Sequence, residues 1–229
     1  MRESGTSGQK TSVVVLGAGV SGLSAALILL HRGYCVTLLD RGTVGSESSW
    51  AGGGILSPLL PWDYAEPVSA LALRSMAGYA DWVVGIEALS GRDAEFWRCG
   101  MLAVGVADPE QALAWCAAHG MTAESFRQDA AERAPDTLQA ALKNSPFVIS
   151  NEANPSGMPA KSKTSGSPRR VAPRDDGIVQ CFSKENCIWL PGIAQVRNPR
   201  LVVALHAAVV QLGGVIREQC PATGVLTQG

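Results

Sequence analysis

The sequence predicts an α/β fold, and three observations taken together carry the prediction. An apolar, β-branched run, Val13-Val14-Val15-Leu16, leads into the glycine-spaced turn Gly17-Ala18-Gly19-Val20-Ser21-Gly22. The turn opens a helical apolar run from Leu23 to Leu30, and a second apolar run, Leu38-Leu39, then ends in Asp40. Strand, turn, helix and strand in this order form the Rossmann-like βαβ unit that binds dinucleotides.

Each part of that unit has a physical task. Gly17 allows the tight turn off the strand, Gly19 lets backbone approach a pyrophosphate with no Cβ in the way, and Gly22 lets the helix pack closely on the sheet. The phosphates sit on the N–H groups that open the helix, at Val20, Ser21 and Gly22, where the dipole favours anions. Asp40 follows at the spacing of about 20 residues at which an acid accepts hydrogen bonds from ribose hydroxyls. Its charge opposes a 2′-phosphate, and Arg41 beside it partly offsets that opposition. Two competing readings fail. Glycines that merely punctuate a core helix cost roughly 1 kcal/mol each against alanine without return. A membrane span over residues 13–30 is interrupted by the Gly and Ser cluster and followed by a further strand pattern.

The 229 residues, 46% of them hydrophobic, suffice for one large or two modest packed domains. A net charge of -1 gives no electrostatic footprint for nucleic acid or an anionic membrane. Six cysteines, at positions 35, 99, 116, 181, 187 and 220, form no C-x-x-C pair and accompany no histidine cluster. Neither a zinc site nor a disulfide framework is predicted, and reduced thiols fit a cytoplasmic enzyme. Residues 1–11 are polar and have no apolar core of a signal peptide, so they read as a disordered tail.

Beyond Asp40, the segment from Ser48-Ser49-Trp50-Ala51 to Gly52-Gly53-Gly54-Ile55-Leu56 is rich in small residues, and its glycines permit main chain to lie against something flat and large. The glycine turn, the acid ending the second strand and this segment together resemble the family of FAD-dependent D-amino-acid oxidases, most closely its glycine oxidase (ThiO) type. The resemblance implies FAD as cofactor, with Ser48, Ser49, Gly53, Gly54 and Ile55 running under the isoalloxazine ring. It implies hydride transfer from the α-carbon of a small amino acid or amine to the flavin, with O2 as oxidant and release of hydrogen peroxide, in thiamine synthesis. A dehydrogenase on the same scaffold, or an inactive nucleotide-binding module, are the alternatives.

Residues 65–91 carry Leu71, Leu73, Met76, Tyr79, Trp82, Val83, Ile86 and Leu89 at helical spacing, in one or two helices. Residues 96–105 read as a strand, and residues 109–120 as a helix with Pro near its start and Gly past its end. Residues 120–134 resemble a small αβ excursion of the family in which Glu132 precedes Pro135. Residues 145–177 are dominated by Pro, Ser, Gly, Lys and Arg, and are predicted to be a flexible insertion. The segment from Cys187 resembles the family's strand that leads into a returning helix, and here Asn198 reads as an N-cap with Pro199 as the first helical residue. An apolar face of Leu201, Val202, Leu205, Ala208, Val209 and Leu212 follows, closed by Gly213-Gly214. Val215-Ile216 is a short strand, after which the resemblance places Ala222 where family backbone meets adenine.

The domain expectation is therefore a cofactor-binding part at residues 12–90, an incomplete inserted α+β substrate part at 91–195, and a return segment at 196–229. The resemblance covers the N-terminal part of such proteins, so the chain is expected to be truncated. No residue is assigned to catalysis and no metal is expected. His31, His119 and His206 read as surface or cap residues, and Arg197 and Arg200 as structural at a helix start, with a substrate-carboxylate clamp as the alternative. The resemblance leaves room for a homo-oligomer.

Overall fold

A computed structural model of the chain describes residues 11–57, 60–127, 140 and 186–224. Two compact units emerge, one of Met1–Gly54, Met76–Phe96 and Val196–Gly229, the other of Ile55–Ser75 and Trp97–Gln195.

The first unit is built on a parallel sheet. Strand β1 (Ser12–Leu16) pairs with β2 (Cys35–Leu39) from Ser12↔Cys35 to Leu16↔Leu39, and helix α1 (Val20–His31) is the crossover between them. Parallel neighbours need such a crossover because a tight turn cannot reverse the chain twice. Helix α1 stops where Gly33 takes a φ of 87° and its N–H returns to the Leu30 carbonyl. Strand β6 (Val215–Arg217) lies on the other side of β2, also parallel, giving the order β1-β2-β6. Helix α5 (Asn198–Gln211) precedes β6 and packs on α1. Leu23, Ala26 and Leu27 of α1 and Leu201, Leu205, Ala208 and Val209 of α5 are buried. Each large one of these contributes roughly 1.5 to 3 kcal/mol.

Helix α3 (Glu66–Ser90) is one continuous helix of 25 residues. Neither Gly78 nor Gly85 breaks it, since each stays within α-geometry with open space beside it. Its C-terminal part buries Val83 and Ile86, and Tyr79 meets Trp82 edge-on at 5.0 Å and stacks with Phe96 at 6.4 Å.

The second unit contains an antiparallel sheet of β3 (Met101–Val104), β4 (Glu124–Arg127) and β5 (Asn186–Leu190) in the order β3-β5-β4. All of β3 and most of β5 are buried. Helix α4 (Pro109–Ala118) starts at Asp108, whose Oδ1 accepts the Gln111 N–H at 2.9 Å, with Pro109 in the first turn.

Two expectations change. The strand foreseen over residues 96–105 is confined to Met101–Val104, because Glu95 and Gly100 take φ of 54° and 73° and interrupt the extended backbone. Trp97 makes only a single bridge, to Gln195. Asn198 is already helical and Arg197 occupies the cap position, with no side-chain cap bond. The foreseen tail up to residue 10, the insertion at 145–177, Glu132 and Pro135 lie outside the described residues. Among the described residues no helix is long and apolar enough to cross a membrane.

Candidate functional site

The glycine turn is laced to the end of β2. Gly17, at φ 94°, donates its N–H to the Leu39 carbonyl at 2.8 Å. A Cβ on Gly22 would run into the Gly17 carbonyl oxygen, so close passage of α1 over the turn requires a residue without one. At Gly19 the added atom would lie 2.8 Å from Ser49 Oγ, a movable side-chain tip. Ser49 sits in the one-turn helix α2 (Ser48–Ala51), and its hydroxyl accepts the Val20 N–H at 2.9 Å. The Ser24 hydroxyl donates to the Val20 carbonyl at 2.6 Å.

Among the described residues, the N–H groups of Gly19, Ser21 and Gly22 have no acceptor, and no acid stands in the first turn of α1. Orphaned donors concentrated at a helix start, with the positive end of the dipole behind them, are complementary to a pyrophosphate. The residues present therefore fit the phosphate part of a dinucleotide.

Asp40 is engaged by main chain. Its Oδ2 accepts the Ala18 N–H at 2.7 Å and its Oδ1 the Gly42 N–H at 2.8 Å. Each oxygen keeps a second lone pair, so the carboxylate braces the turn and can still accept from a ribose hydroxyl. Arg41 projects outward and pairs with Glu47 at 2.7 Å. The hydrogen bond and charge of Glu47 raise the guanidinium pKa and hold it cationic. Glu218 accepts the Val44 N–H at 2.7 Å, and Cys220 donates its N–H to the Asp40 carbonyl at 2.7 Å. The segment after β6 is thereby tied to the segment after β2. Ala222 is exposed just beyond it.

Gly54 has a φ of 74° and accepts the Val196 N–H at 2.9 Å. Ile55 belongs to the second unit, where it bridges Gln195 and lines a shallow pocket with Cys99, Met101 and Ile193. Burial pushes the Cys99 thiol pKa up. Thus Gly17, Gly19, Val20, Ser21, Gly22, Asp40 and Ser49 come together around the start of α1, and Ser48, Gly53 and Gly54 follow in the same unit. Arg41 turns away to Glu47.

Sequence reasoning passed over two features. Glu218 follows β6 just as Asp40 follows β2, and the pairing Leu39↔Arg217 puts the two acids side by side. An acid directly after each strand was the available signal. Glu95 is clasped by Arg197 at 3.3 Å and Arg200 at 2.8 Å, a long-range contact with no local signature. Of the histidines, His31 ends α1 exposed, while His119 caps α4, bonds the Trp115 carbonyl at 2.8 Å and stacks on the indole at 3.9 Å. Among the described residues no cluster of ligands could hold a metal ion.

The profile of a family described as FAD dependent oxidoreductase (DAO) matches residues 12–153. A glycine oxidase of Pseudomonas putida is 33% identical over 217 residues, covering 94% of this chain and 48% of that protein. A bifunctional protein ThiO/ThiG of Trichormus variabilis is 35% identical over 91 residues, covering 40% of this chain and 14% of that one. The crystal structure of glycine oxidase from Geobacillus kaustophilus superposes with a TM-score of 0.63 at 19% identity, over 92% of this chain and 47% of that one. The chain thus spans about half the length of the glycine oxidase it matches.

Proposed function

Because this chain belongs to the family of FAD-dependent oxidoreductases, we propose that it forms the FAD-holding part of an oxidase acting on a small amino acid or amine, of glycine oxidase type. The observation that carries the reading is the start of α1, where acceptor-less N–H groups, a neighbouring hydroxyl and a braced carboxylate converge. Gly19, Val20, Ser21 and Gly22 would hold the pyrophosphate, with Ser49 yielding its bond to Val20 or adding its own. Asp40 would accept from the ribose and backbone at Ala222 would meet the adenine. The segment from Ser48 through Gly53 and Gly54 to Ile55 would run along the flavin ring.

When bound, FAD supplies the hydride-accepting group, and the protein is left with binding, orientation and exclusion of water. In this division the first unit takes the cofactor and the second carries substrate contacts. The similarity to a protein named glycine oxidase supports glycine or a similar small amino acid as substrate and O2 as electron acceptor. The similarity to a protein named as a putative thiamine biosynthesis oxidoreductase supports a supply role in thiamine synthesis.

The test has two steps. Titration of the purified chain with FAD should produce a protein-bound flavin spectrum, and hydrogen peroxide should appear from the enzyme containing this chain when glycine, sarcosine or D-alanine is added. Peroxide-free turnover with an artificial electron carrier would replace the oxidase reading with a dehydrogenase. No flavin uptake would remove both.

A further inference from the structure

Glycine at position 52 is not demanded by its backbone. Gly52 has φ -65° and ψ 144°, an extended conformation open to any residue. What excludes a side chain is Asn198, since a Cβ on Gly52 would strike the Asn198 carboxamide nitrogen. At Gly54 the left-handed backbone and the Val196 carbonyl already require glycine, and the Asn198 Oδ1 closes the remaining side at 3.3 Å. One carboxamide therefore lies flush against both ends of the Gly52-Gly53-Gly54 strip.

The backbone that carries Asn198 is held on both sides. Its chain neighbours are fixed on two sides, by the Val196 N–H to the Gly54 carbonyl at 2.9 Å and the Arg197 N–H to the Ala94 carbonyl at 3.2 Å. The Arg197 and Arg200 guanidiniums on Glu95 anchor the same helix start. The carboxamide is not a helix cap, and it makes no hydrogen bond among the described residues. Its shape, and not a bond of its own, meets the strip.

We propose that Asn198 is a positioning residue that sets the level of the Gly52–Gly54 backbone and thereby the surface that this strip offers to the flavin ring. The inference rests on the cofactor reading above. The chain has no side chain at position 52, where this carboxamide is seated, and the carboxamide limits how far the strip can sink toward α5.

The test is a suppression experiment on the full chain, read by FAD titration, the shape of the bound flavin absorbance bands and the thermal midpoint of the cofactor-free protein. Gly52→Ala should weaken FAD binding about tenfold or more and alter the band shape, because its new methyl pushes the strip off Asn198. Adding Asn198→Ala should open the space and recover most of that affinity. Asn198→Leu, similar in shape but without polar atoms, should bind FAD within about threefold of the parent. Gly52→Ala binding like the parent, or a double variant no better than Gly52→Ala, would overturn the proposal while leaving the cofactor reading intact. Loss of binding in Asn198→Leu would show that the amide bonds the ligand directly, and would overturn it as well. No flavin uptake by the parent chain would remove the cofactor reading and this inference with it.

Discussion

Asp40 and Ala18 are joined by a 2.7 Å hydrogen bond in which the carboxylate Oδ2 accepts the N–H of the glycine turn. The acid that a dinucleotide fingerprint assigns to the ribose is therefore also a structural brace between the end of β2 and the turn after β1.

Asp40→Ala should reduce stability before any cofactor is present, since it strips charge-assisted acceptors from the N–H groups of both Ala18 and Gly42. The expected loss is about 1.5 to 3 kcal/mol, or roughly 3 to 12 °C in thermal midpoint for a chain of this size. FAD affinity should fall about tenfold or more in addition. Calorimetry of the cofactor-free variant checks the first part, and an unchanged midpoint would leave Asp40 with a ribose role alone.

Gly22 and Gly19 should separate folding from binding. Gly22→Ala drives a methyl into the Gly17 carbonyl, a backbone atom that cannot swing aside, and should destabilise the first unit by about 1 to 3 kcal/mol or more. Gly19→Val meets only the Ser49 hydroxyl, so the sheet should stay folded while the pyrophosphate path is blocked. Circular dichroism beside flavin titration distinguishes the two. An intact flavin spectrum with Gly19→Val would dispose of the phosphate cradle.

Gly100→Ala should destabilise the second unit. Position 100 combines a φ of 73° with the Trp189 ring lying where a Cβ would go, and Trp189 is buried on the central strand β5. Strained backbone and a displaced indole together should cost roughly 2 to 4 kcal/mol. Denaturant unfolding followed by tryptophan fluorescence would reveal this as a lower midpoint, and no shift would mean that the indole relocates without penalty.

Stability should decline on the alkaline side. Burial raises the thiol pKa of Cys99 and Cys116 and pushes the Tyr79 phenol up to about 12. Each group holds its proton more tightly folded than unfolded, so its contribution is complete below the unfolded pKa and is lost as pH rises through the folded one. The window runs from roughly pH 8.5 for the thiols to the range above pH 10 for the phenol. Urea midpoints measured from pH 7 upward check this, and Cys116→Ser should flatten the first part of the decline.

The βαβ unit was legible because its determinants are local: a β-branched strand, glycines at fixed offsets and an acid at the end of the next strand. The helices at 109–118 and 198–211 were legible for the same reason, through Pro at the start and an apolar stripe. What escaped was set by partners distant in sequence. Asn198 looks like a cap by residue type, but its side chain packs against a glycine strip more than 140 residues earlier. The strand foreseen from Phe96 starts only at Met101 because Glu95 and Gly100 adopt left-handed backbone, a preference that Glu does not advertise. The glycines at 52 and 54 carry a second constraint that no local pattern announces, since Asn198 and Val196 occupy the side on which a Cβ would project.

The sheet order β1-β2-β6 also shapes how the protein is made. β1 and β2 can pair as soon as α1 closes, but β2's other edge waits for a strand synthesised far later, as the Val44–Glu218 bond across 174 residues measures. At roughly 5 to 20 residues per second, a ribosome needs on the order of ten seconds or more to deliver it. Throughout that interval the nascent chain shows an unsatisfied parallel edge flanked by apolar side chains, the kind of surface that a holding chaperone grips. Slowing translation between β2 and β6 should therefore lengthen chaperone occupancy in proportion, without altering the finished fold.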